Sequence, residues 1–217
     1  MTMSSVYNLL AKVLALPSKL ALNDDEQLRV NLLGDLRIAV ALPSLAEIVR
    51  FGNSYQARTT TAAAPVAAIP TTAALISLWN GEADDGKSLV IDSVFAVTVA
   101  STTAQQTPTI LGMLNSLAIP TAIAATITPI SLLGNKTYGG RARVAVGTTV
   151  VDAGWFPFGT NAPQLAGATN NIGSCTDIRL DGLIIVPPKG QFNLSVLSAA
   201  ATASSIQVGL RWHEIQL

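Results

Sequence analysis

Every second residue from position 206 to 212 is large and apolar. Ile206, Val208, Leu210 and Trp212 share one face of an extended chain, and Gln207, Gly209, Arg211 and His213 share the other. A period of two over this length specifies a strand with one buried face, and the same signal recurs along the chain. Residues 75–79 form a short apolar run. Extended backbone over 88–99 puts Leu89, Ile91, Phe95, Val97 and Val99 on one side, with Asp92 and Thr98 on the other. Val144, Val146, Val150 and Val151 indicate a strand or hairpin around Gly147, and Phe192, Leu194 and Val196 alternate again. Ile178 and Leu180 lead into the unbroken apolar run 183–186, which reads as a strand covered on both faces. Pro187-Pro188-Lys189-Gly190 must then turn, because neither proline can donate to a ladder and Gly190 is free to take positive φ.

Short strands separated by Gly, Pro and Asn turns point to a sandwich. A parallel α/β fold needs amphipathic helices of about ten residues or more between its strands, and the sequence beyond residue 60 has none. The predicted class is therefore all-β: an antiparallel, jelly-roll-like β-sandwich with an N-terminal arm. Composition divides the chain into an arm at 1–58, Leu-rich and charge-bearing, and a sandwich domain at 59–217, rich in Thr, Ala and Gly. Within the arm, Val6, Leu9, Leu10, Val13 and Leu14 recur at helical spacing until Pro17, predicting a short helix. Residues 28–42 read as one or two strands or an extended segment, and the Thr/Ala/Pro stretch at 59–65 as a linker.

Charge then bears on function. Only 12% of the 217 residues are charged, against about a quarter in ordinary globular domains, and 13 basic residues balance 13 acidic ones. A free monomer uses such charges to stay dispersed, so their scarcity points to a surface covered in an assembly. With no basic run to neutralise a row of phosphates, nucleic acid is excluded as the main partner. No membrane partner is expected either. Residues 109–133 are largely apolar, but Pro120 and Pro129 interrupt them and Asn115 and Ser116 lie inside. A spanning helix needs about 20 apolar residues with internally closed backbone bonds, so this segment reads as buried strand and loop. Cys175 is the only cysteine, and no disulfide within the chain can form.

Gly81, Gly86, Lys87 and Ser88 match the phosphate-loop spacing G-x-x-x-x-G-K-[ST]. Glu82, Asp84 and Asp85 put three carboxylates where an anion would sit, and Leu89-Val90-Ile91 favours a strand over the helix such a loop requires. The motif reads as a polar loop between strands. His213, the single histidine, has no serine in a G-x-S-x-G turn to serve, and Cys175 has no local activating pattern. No catalytic residue, cofactor site or metal site is predicted, and the chain is expected not to be an enzyme. Trp155, Phe156 and Phe158 around Pro157 admit two readings: an exposed interaction surface, or a plug over one end of the sandwich.

Taken together, the strand run, the Pro187-to-Gly190 turn and the terminal Gly209-Leu210-Arg211-Trp212-His213-Glu214 segment resemble the virion structural proteins of tailed bacteriophages. The likeness is to jelly-roll or sandwich proteins that decorate heads or build small spikes. It extends over most of 50–217, including Asn53-Ser54-Tyr55-Gln56-Ala57-Arg58, and rests on overall texture, so no functional residue carries over. It implies a homo-oligomer, often a trimer, held by its arm to other virion proteins such as the major capsid protein, and located in particles assembled in the host cytoplasm. Two alternatives stand beside it: a receptor- or carbohydrate-binding sandwich of a tail or fibre, using the Trp155 loop, and a nucleotide-binding protein using residues 81–88.

Overall fold

A computed structural model describes residues 44–68, 73–101, 109–150, 154–159, 175–198 and 204–216. The expected helix over 6–14 and the strands expected over 28–42 lie outside the described residues. Among the described residues one short helix, α1 (Ser44–Arg50), precedes ten strands. These are β1 (Ser54–Arg58), β2 (Ala73–Trp79), β3 (Ser88–Ser101), β4 (Thr109–Leu114), β5 (Ile130–Ser131), β6 (Arg143–Thr149), β7 (Phe156–Gly159), β8 (Cys175–Val186), β9 (Gln191–Leu197) and β10 (Ser204–Ile215).

The strands build two five-stranded sheets, ordered β5-β1-β10-β3-β8 and β6-β2-β9-β4-β7, with every strand pair antiparallel. Successive strands from β1 to β4, and again from β7 to β10, alternate between the sheets. Eight strands thus make the interleaved quartets β1-β10-β3-β8 and β2-β9-β4-β7, which is jelly-roll order. The connection from β4 to β7 adds one strand to each sheet, β5 beside β1 and β6 beside β2. The expected antiparallel, jelly-roll-like sandwich is what the chain forms. Ser54–Arg58, assigned by composition to the arm, is β1 and pairs residue for residue with β10.

The core lies between the sheets, and period-two patterning fills it from both sides. Ile76, Leu78, Ile110, Val144, Phe192, Leu194 and Val196 come from the second sheet. Leu89, Ile91, Val94, Ala96, Val208, Leu210 and Trp212 come from the first. Trp212 is fully buried, as the alternation of β10 requires.

Three expectations are corrected. In β3 the register shifts at Asp92, since Trp212 pairs with Ile91 and Arg211 with Ser93, leaving Asp92 as the extra residue of a bulge. Beyond it the faces exchange: Val94 and Ala96 enter the core, whereas Phe95, Val97 and Val99 turn to the outer face. The run 183–186 is covered on one face only: Ile184 and Val186 enter the core, whereas Leu183, 79% exposed, and Ile185, 42%, lie on the other face. In the turn after it, Lys189 (φ 60°) takes the left-handed conformation instead of Gly190. Residues 109–133 contain β4, an irregular and largely exposed connection, and β5. Among the described residues no helix is long and apolar enough to cross a membrane.

Candidate functional site

The phosphate-loop motif falls between β2 and β3, and Ser88 begins a strand, so no helix N-terminus is available to face an anion. Asn80, fully buried, organises the turn. Its side-chain amide donates to the carbonyls of Lys87 and Val186 at 2.9 and 3.0 Å, and its carbonyl oxygen accepts from the Glu82 N–H at 3.1 Å. Its backbone exchanges bonds with Lys189 and Gly190, which ties this loop to the β8–β9 turn. Three of the loop's four charged side chains lie near an opposite charge: Asp84 lies 2.6 Å from Lys189, Glu82 3.9 Å from Arg141, and Lys87 4.0 Å from Glu214. The lysine that would grip a phosphate faces a carboxylate of its own chain.

That carboxylate is a feature missed in the sequence. The Glu214 side chain is 2% exposed near the end of β10. Burial, the larger cause, raises its pKa, while a hydrogen bond from Tyr138 and the charge of Lys87 oppose the shift. The Tyr138 hydroxyl donates to Glu214 at 3.2 Å and accepts from the Ala142 N–H at 2.7 Å. Burial, followed by the nearby Glu214 charge, raises the Tyr138 pKa far above the usual phenol range. Gly140 closes the cluster, since a Cβ there would overlap both the Glu214 carboxylate and the Tyr138 hydroxyl. The ring of Tyr138 meets Tyr55 edge-on at 4.7 Å, and Tyr55 lies beside Trp212.

The aromatic segment is packed. Trp155 is 9% exposed and belongs to a second apolar cluster with Ala74, Leu111, Met113 and Val150. Phe156 and Phe158 lie two apart on β7 and turn into the main core, edge-on to one another at 5.0 Å. Phe158 also meets Phe192 at 6.1 Å and lies directly over Gly112, where any Cβ would overlap the ring. Trp155 is thus buried, and Phe156 and Phe158 are half-buried on the edge strand β7 of the second sheet.

The outer face of the first sheet gathers the remaining polar chemistry. Arg211 on β10 donates to Ser93 of β3 at 2.8 Å and to Asp177 of β8 at 2.7 Å, with its guanidinium 4.9 Å from the centre of the Phe95 ring. It therefore stitches three strands together. Next to it, Nδ1 of His213 lies 2.8 Å from Asp92 at the bulge. Leu45 and Val49 of α1, with Asp92, Ser93, Arg179 and Arg211, help line a pocket of about 220 Å³. A carboxylate that orients a histidine is one part of general-base machinery, but the hydroxyl bonded in this row, that of Ser93, is engaged by Arg211. Among the described residues no group of three His, Cys, Asp or Glu side chains is placed to hold a metal ion.

Fold and sites together define an antiparallel jelly-roll sandwich whose polar clusters are closed on one another. The chain matches no protein-family profile, no curated protein sequence and no solved structure.

Proposed function

We propose that the chain is a virion structural protein, a capsid-associated decoration (cement) or head-spike subunit that assembles as a homo-oligomer. The observation that carries this reading is the strand order, β1-β10-β3-β8 against β2-β9-β4-β7. Jelly rolls of this order serve as capsid subunits as well as lectins and cupins, so fold alone does not select among them. The sparse, balanced charge and the internal pairing of the polar clusters favour the structural member of that set. A carbohydrate-binding sandwich needs an exposed aromatic platform, and Trp155 is buried. A nucleotide-binding loop needs a helix after Lys87, and a strand stands there. Residues preceding α1 are assigned the attachment role, with the sandwich projecting from the particle.

The test is quantitative mass spectrometry of gradient-purified particles from cells that produce the protein. The chain should co-purify at a fixed, high ratio to the major capsid protein. A version lacking residues 2–43 should fold and fail to join the particle. Absence of the full-length chain from purified particles contradicts the proposal.

A further inference from the structure

The four sheet edges are not alike. β5 and β7 are short, two and four residues. The edge of β6 is met by residues 126 and 127: Thr126 and Ile127 donate their N–H groups to Val144, and Thr126 accepts from the Val146 N–H. β8 is twelve residues long, pairs with β3 on one side, and among the described residues has no strand on the other. Among the described residues no hydrogen bond reaches that open edge. Open edges template the addition of another strand, and natural proteins blunt them with charged side chains, prolines or bulges. β8 is irregular at Asp181 and Gly182, but over Cys175–Arg179 its edge is regular and its exposed charges are of opposite sign.

From Cys175 to Arg179, β8 pairs with β3 without interruption. Asp177 and Arg179 lie two apart on its outer face and are both exposed. The regular stretch ends where Asp181 (φ 46°) and Gly182 (φ 83°) turn left-handed, opposite the bulge of β3. A two-fold axis perpendicular to the sheet keeps each outer face outward, so it pairs residues of equal parity. With the axis at Ile178, Asp177 of one copy opposes Arg179 of the other, twice. Moving the axis to Arg179 would set Arg179 against itself and Asp177 against Asp181, three repulsive pairs. Moving it to Asp177 sets that residue against itself. An axis at Leu180 would again match Arg179 with Asp181, but it runs through the left-handed residues, where extended pairing fails.

We infer that two copies of this chain join edge to edge through β8, antiparallel about a two-fold axis at Ile178, into one continuous ten-stranded sheet. The partner is a second copy because the charge pattern is complementary to itself. Directly opposed cross-strand pairs lie about 4.5–5.5 Å apart and favour opposite charges. Asp177 keeps its bond to Arg211 in this arrangement, since a carboxylate accepts from more than one donor. The inference deepens the self-assembly part of the proposed function and is independent of the virion. A contact of this kind links two copies, and any higher symmetry uses a second interface.

The experiment is charge complementation, read by sedimentation velocity on the full chain. Asp177→Arg and Arg179→Asp each convert both opposed pairs to like charges, and each alone should weaken self-association by about tenfold or more. Mixed in equal amounts, the two variants restore opposite pairing and should associate as the wild type does. Ile178→Cys in a Cys175→Ser background should form a cross-linked dimer under mild oxidation, because position 178 then faces itself. If the wild type assembles while both charge variants match it and position 178 does not cross-link, the β8 interface is wrong and the proposed function survives. A chain that is monomeric under every condition overturns both. Cross-linking at position 178 with no chain in purified particles overturns only the virion assignment.

Discussion

Nδ1 of His213 lies 2.8 Å from the carboxylate of Asp92, across the β3–β10 pair and at the residue where β3 bulges. The carboxylate only accepts, so Nδ1 carries the proton and Nε2 is the nitrogen left to its surroundings. His213 is 8% exposed, so removing its partner leaves a nearly buried donor unmatched. Asp92→Ala should cost about 1–3 kcal/mol in urea unfolding. Deleting residue 92 should cost little more than this, because Ile91 and Ser93 then pair with Trp212 and Arg211 in simple alternation and every later β3 residue keeps its face. A deletion that unfolds the protein, where the alanine variant does not, would contradict the bulge.

Trp212 fills the centre of the core beside Tyr55, with no exposed surface. Trp212→Ala should lower stability by about 3–5 kcal/mol, as truncation of a packed aromatic does. Wild-type stability in a denaturant titration would contradict its burial.

The buried carboxyl at Glu214 sets a pH dependence whose sign follows from its raised pKa. The folded state holds the proton more tightly than the unfolded state does. Stability is therefore full below the unfolded carboxylate range, about 4.3 for glutamate, and falls as pH rises through the higher folded pKa. Glu214→Gln should remove this part of the decline and keep the acceptor for Tyr138. Lys87→Ala should steepen the decline, since the cation 4.0 Å away opposes the shift. Denaturant midpoints across pH 4–8 decide it; parallel curves for wild type and Glu214→Gln would contradict the assignment.

Residues 81–88 should not bind nucleotide. Titration of ATP or GTP in a calorimeter should show no saturable heat. Micromolar binding abolished by Lys87→Ala would mean that the lysine is available to phosphate despite Glu214.

What the sequence could convey follows from which forces are local. The alternation of β10 placed Trp212 correctly because burial of one strand face is written into every second residue. The same logic inverted Phe95, Val97 and Val99, because a bulge adds a residue without any compositional mark at Asp92. The run 183–186 is as apolar as a central strand, and nothing local says that only one of its faces is covered. α1 went unread although Ser44 and Glu47 stand at the spacing of a helix start, with Leu45, Ile48 and Val49 at helical intervals. The Asp92–His213 and Tyr138–Glu214 pairs join residues 121 and 76 positions apart, and only the folded sheets bring them together.

Self-assembly is the central claim, and the molar mass of the purified full-length chain across a hundredfold range of concentration tests it most directly. Sedimentation velocity should find a species of at least two chains that dissociates on dilution. A single species of 22.5 kDa, one chain, at every concentration would contradict it.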